Sequence, residues 1–89
     1  MLVEWDPKKA VSNFRKHRVR FADSIAVLED DRAITLRDVE EDEERWISIG
    51  SDALGRVLVV VYTLRTDRIR MISARRAIRQ ERAQYEEKP

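Results

Sequence analysis

The sequence predicts an α+β fold: an antiparallel sheet with two N-terminal helices packed on it and a C-terminal helix, in the order β-α-α-β-β-β-α. Three observations predict it. Asp6-Pro7 opens a stretch with helical periodicity. From Ala33 onward, apolar and polar residues alternate in runs separated by short turns. After Ser73 the period changes and arginines crowd a last helical stretch. The 89 residues are expected to form one domain, 1–89, with a modest core, because a chain of this size buries roughly 60–65% of its unfolded surface.

Leu2–Trp5 has room for one short strand. Asp6 then suits a helix N-cap, and Pro7 suits the first helical position, where no N–H is needed. Along Pro7–His17, Ala10, Val11 and Phe14 share a face expected to pack inward. Lys9, Asn13 and Lys16 line another stripe, with His17 between the two. Phe21, Ile25 and Leu28 recur at spacings of four and three. They mark a second helix reaching to about Glu29, expected to lie on the sheet rather than within the core.

Ala33–Asp38 and Arg45–Ser51 alternate as half-buried strands, separated by an acidic loop at Val39–Glu44. Ser51–Gly55 connects to Arg56–Leu64, which is apolar on both faces and suits a central strand. Its uncharged, β-prone run Val57–Leu64 is an aggregation hazard if exposed. Thr66-Asp67 is a tight turn into a last strand, Arg68–Ser73. Ser73 reads as the N-cap of a helix from Ala74 to about Glu87. On that helix Ala74, Ile78 and Tyr85 form a thin apolar edge. Arg75, Arg79 and Arg82 form the adjacent stripe, with few acidic partners at helical spacing.

The net charge of +1 hides a pattern. Residues 1–20 hold six bases and two acids, residues 21–44 two bases and ten acids, and residues 45–89 ten bases and five acids. Basic ends around an acidic middle can fold to present one cationic face to a polyanion. The plainer alternative is a solvated, ion-paired surface. No cysteine is present, which excludes disulfides, thiol nucleophiles and thiolate metal sites, and fits a reducing cytoplasm. One histidine and scattered carboxylates argue against a metal centre. Two glycines are too few for a phosphate-cradling loop. No cofactor is expected. No apolar run approaches a membrane span, and the N-terminus lacks a signal-peptide layout.

The remaining inventory is arginine, lysine, one histidine, tyrosine and tryptophan. It suits binding an anionic polymer, and it would suffice for one reaction, cleavage of RNA by its own 2′-hydroxyl. There the protein only positions the chain, moves protons and neutralises the phosphate. His17, Glu81 and Tyr85 are proton-moving candidates; Trp and Tyr side chains can stack a base.

Trp5-Asp6-Pro7-Lys8-Lys9, Asn13, Lys16-His17 and Phe21 resemble the opening of the BrnT family. Arg45 and Gly50, Thr63 and Arg65, then Ile69–Ala77 with Glu81-Arg82 and Tyr85 resemble its ending. The resemblance implies a RelE-like fold and a ribonuclease toxin of a type II toxin–antitoxin pair that stops translation. It also implies neutralisation, in a hetero-oligomer, by a DNA-binding BrnA-like antitoxin, through which alone the pair binds promoter DNA. The family commonly has Gly after Lys-His and Ser just before the Phe. Here these are Arg18 and Arg20, and Arg20 cannot accept cap hydrogen bonds.

With that resemblance, Lys16, His17, Arg65, Arg75 and Glu81 are the expected catalytic residues. Lys9, Asn13, Arg76, Arg79 and Tyr85 are expected to bind RNA, and Glu81 has the alternative role of holding an arginine. The expectation rests on Lys16 and Arg75 lying side by side. A non-catalytic nucleic-acid-binding module and a pure protein-interaction module are the competing readings.

Overall fold

The computed structural model describes residues 2–40 and 43–87. The elements are β1 (Leu2–Glu4), α1 (Pro7–His17), α2 (Phe21–Leu28), β2 (Ile34–Glu40), β3 (Glu43–Ser51), β4 (Val57–Arg65), β5 (Arg68–Arg76) and α3 (Arg79–Glu87). They form one five-stranded sheet in the order β1-β5-β4-β3-β2. The expected order was one strand short, because four strands follow the helices. Nor is the sheet wholly antiparallel. β2 to β5 form an antiparallel meander, but β1 pairs parallel with β5, Val3 opposite Ile69. The helices carry the chain from one sheet edge to the other, so the returning meander ends beside its first strand. No helix is long and apolar enough to cross a membrane among the described residues.

Asp6 caps α1 as its chemistry requires, its carboxylate accepting the Lys8 N–H at 2.9 Å. The helix ends on Arg18 in the left-handed region, φ 59° and ψ 31°. That conformation crowds Cβ against the backbone and favours glycine. An arginine therefore stands where the backbone conformation favours glycine. Arg20 is the N-cap of α2 and its side chain makes no cap hydrogen bond. Both guanidinium groups instead lie over the Phe14 ring, at 5.6 and 5.2 Å from its centroid.

The core lies between the sheet and the α1–α2 pair. Val19, Phe21 and Val27 pack with Leu58, Val60, Tyr62, Met71 and Ala74. Two expected helix faces shift. The fully buried residues of α2 are Phe21, Ser24 and Val27, while Leu28 packs against the core from its margin, so this helix contributes to the core. Its buried Ser24 hydroxyl donates back to the Arg20 carbonyl at 3.0 Å, which lets a polar residue face inward. On α1 the buried residue is Asn13, whereas Val11 is 59% exposed. At Gly50 the end of α2 and the segment after it press close to the sheet. A Cβ there would stand 3.0 Å from the Asp30 carboxylate, 3.1 Å from Ala33 and 3.2 Å from Val27.

The acidic segment Val39–Glu44 is largely strand, since β2 and β3 pair out to Glu40 opposite Glu43; its residues 41–42 lie outside the described residues. Ser73 is not a helix cap. β5 continues three residues further, with Ser73 opposite Val61 and Arg76 opposite Leu58. The apolar run of β4 offers a pairing partner along this whole length, and that outweighs the local cap preference. A register shift beside Val61 and Tyr62 leaves Ile72 as the extra residue on β5.

Candidate functional site

A bond set at the free edge of β5 builds the site. β1 covers that edge only along Arg68–Arg70. Further on, the Asn13 side chain takes the place of a neighbouring strand. Its amide nitrogen donates to the Ala74 carbonyl at 2.9 Å and its oxygen accepts the Ala74 N–H at 3.1 Å. The same nitrogen donates to the Val19 carbonyl at 3.0 Å, tying in the segment after α1. Two backbone groups of the β5 edge and one of the segment after α1 are thus satisfied by one side chain, and α1 is fixed against β5.

Beside this weld lies an open cleft of about 180 Å³, lined by Lys9, Ser12, Asn13, Lys16 and His17 from α1 and by Ile72 and Ser73 from β5. The stripe expected from helical spacing is therefore one wall of a real concavity. Lys9 and Lys16 are exposed and His17 is half-buried. Two hydroxyls, Ser12 and Ser73, were not anticipated. Ser12 sits four residues before Lys16, so helical spacing held the signal. Ser73 is delivered by the irregularity of β5, which leaves no mark in local sequence.

The arginines are distributed differently from expectation. Arg75 is opposite Val59, one residue beyond the core-facing Ala74. Alternation along a strand turns it to the sheet face away from α1 and α2. It starts about 7 Å along the strand from Ser73. There it binds Glu81 in a bidentate pair, at 2.8 and 2.9 Å, so it has the acidic partner that helical spacing did not reveal. Glu81 also accepts the Ile78 N–H at 2.9 Å, as the third residue of a helix does in a capping box. Glu81 thus joins an arginine of β5 to the start of α3.

Arg76 returns to the face of Ala74 and is exposed; Arg79 is exposed at the start of α3. Arg65 is paired in register with Arg68. The cleft residues of β5, Ile72 and Ser73, lie four and five residues beyond that row, roughly 13–17 Å at strand spacing. The structure does not bring Arg65 to the cleft. Arg68 and Arg70 are likewise occupied, donating to Glu4 at 3.0 and 2.7 Å. Tyr85 donates to Asp30 at 2.5 Å, which ties the end of α3 to the loop after α2.

The carboxylates that hold these elements titrate accordingly. The Arg75 guanidinium, followed by the Ile78 N–H, keeps Glu81 below the usual carboxylate range against the opposing effect of burial. Burial alone would raise Asp30, but the Ser51 N–H, the Tyr85 hydroxyl and the Arg32 N–H together lower it. A lowered carboxyl contributes fully above its unfolded pKa and loses that contribution as pH falls through its folded value. Thermal stability should therefore decline below about pH 4. Glu81→Gln should lower stability by about 1 kcal/mol at pH 7, a modest value because Arg75 is partly solvated. The gap to the parent should close in acid. Melting curves of both proteins between pH 3 and 7 test this; a constant gap would contradict the assignment.

Fold and cleft together define a small α+β protein with an open cleft between its first helix and a sheet edge, lined by two lysines, a histidine and two hydroxyls. The sequence matches the model of the BrnT family over residues 5–81, described as the ribonuclease toxin BrnT of type II toxin–antitoxin systems. The chain belongs to that family and is a ribonuclease toxin of a type II pair. The BrnT toxin of Brucella abortus has a similar fold, with a TM-score of 0.67 and 21% identity over 89% of this chain and 100% of that one. No curated protein matches the sequence.

Proposed function

We propose that the α1–β5 cleft is where this toxin cleaves RNA, and that the single carrying observation is the convergence there of Lys9, Lys16, His17 and two hydroxyls. The reaction is attack of a ribose 2′-oxygen on the adjacent phosphorus. A base removes the 2′-proton, the new P–O bond forms as the bond to the 5′-oxygen breaks, and an acid protonates that leaving oxygen. The products are a 2′,3′-cyclic phosphate and a free 5′-hydroxyl. His17 is the proton-moving group in the cleft. Lys9 and Lys16 neutralise the phosphate as charge builds up, and Ser12 and Ser73 donate hydrogen bonds to its oxygens. Asn13 positions the wall and does not touch RNA. Arg76 and Arg79 extend the basic surface for the flanking chain, while Arg75, Glu81 and Tyr85 hold α3 in place.

Within this reading the chain is one RelE-like toxin domain acting in the cytoplasm, where cleavage of RNA halts translation. Its partner is a BrnA-like antitoxin, which supplies the contacts of the hetero-oligomer to promoter DNA. Family membership supports both. Purified chain should cut RNA in the presence of EDTA and leave cyclic phosphate ends, and a 2′-deoxy substitution at the cleaved position should block the cut. Salt-sensitive RNA binding without any cut would favour a binding module instead.

A further inference from the structure

The face of α1 opposite the cleft carries an apolar groove that the fold leaves uncovered. Trp5, Ala10, Val11, Phe14, Phe21 and Ala22 line about 370 Å³, with Arg20 at the edge. Trp5 and Phe21 form its floor, edge to face at 5.8 Å. Val11 belongs to the helix face that periodicity assigns to the interior, yet it is 59% exposed. The groove therefore presents the part of the apolar stripe that the protein's own core does not cover.

Four cations lie beside the groove. Lys8 and Arg15 lie three residues before and four after Val11, the spacings that make helix-surface neighbours. Arg18 and Arg20 lie over the Phe14 ring. None of the four side chains makes an ion pair among the described residues. An apolar trough bounded by four uncompensated cations matches an amphipathic helix with a narrow apolar ridge flanked by Asp and Glu. A nucleic acid would match the cations but not the trough.

We propose that this groove is the docking site of the antitoxin, and that the antitoxin enters it with an acidic amphipathic helix. The inference rests on the toxin–antitoxin reading and adds the surface and its chemistry. Because α1 separates groove from cleft, residues that hold the antitoxin differ from those that cut RNA.

The test uses the full chain co-expressed with the protein encoded beside it, in parent, Val11→Asp and Arg15→Glu forms. Both positions are exposed, and circular dichroism checks that each variant is folded. Each variant should cut RNA as the parent does. Affinity for the neighbouring protein should fall at least tenfold for Val11→Asp, and co-expression should no longer rescue growth. Arg15→Glu should weaken binding less, with the loss most evident at low salt. Unchanged affinity in a folded Val11→Asp protein overturns the proposal. So does a parent chain that is a dimer alone and becomes monomeric on Val11→Asp, since the occupant is then a second copy. Absence of RNA cleavage by the parent, with binding still lost in Val11→Asp, would remove the assigned activity and leave the docking site standing.

Discussion

Replacing Asn13 by alanine should destabilise the protein by about 3 kcal/mol, lowering its melting temperature by roughly 12–24 °C. The side chain is 7% exposed and its partners Val19 and Ala74 are fully buried. Alanine would leave two carbonyls and one N–H without partners, and each such orphan costs on the order of 1–3 kcal/mol. Asn13→Asp should be worse at neutral pH. It would set an oxygen against the carbonyls of Val19 and Ala74, where the amide nitrogen now donates. Acid should recover part of that loss, because a protonated carboxyl donates again. Ser12→Ala, one residue away and exposed, should change stability by less than about 0.5 kcal/mol. Urea titration of the three variants decides the matter. A loss below about 1 kcal/mol for Asn13→Ala would mean that water replaces the amide and that the α1–β5 weld is unimportant.

The second large effect concerns activity. Lys16→Ala and His17→Ala should each reduce RNA cleavage about 10²–10⁴-fold, the usual range for a group that moves a proton or meets developing charge. Both should melt within a few degrees of the parent, since neither side chain makes a hydrogen bond or ion pair among the described residues. Arg65→Ala should keep most of the activity, because its strand row is distant from the cleft. Arg75→Ala and Glu81→Gln should resemble one another, each loosening α3 more than it slows cleavage. Single-turnover rates on one RNA separate these cases. Full activity in both Lys16→Ala and His17→Ala would place the chemistry elsewhere.

What the sequence made legible was whatever depends on near neighbours. Asp6-Pro7 opens α1, Thr66-Asp67 turns β4 into β5, and the two-faced apolar run of β4 sits at the centre of the sheet. The stripe of Lys9, Asn13 and Lys16, with His17 beside it, was readable because one helix carries it. Features set by the sheet were hidden. Ser73 is locally a fine helix cap, but β4 extends far enough to keep it in a strand. Arg65 ends β4 and Arg75 is the last residue but one of β5, and only the register reveals how far apart they lie. Asn13 had two possible uses, solvent-facing recognition or repair of an open sheet edge. The choice depends on Ala74, 61 residues away.

That repair limits how partners can join the sheet. With β1 along Arg68–Arg70 and Asn13 engaging Ala74, the β5 border has little backbone left to offer an incoming chain. β-augmentation on the long scale of a full strand is then left to the opposite border, along β2, since β1 on this side is only three residues long. A ligand that works by adding a strand should leave its trace in amide-exchange protection of Ile34–Asp38 and none at Ala74.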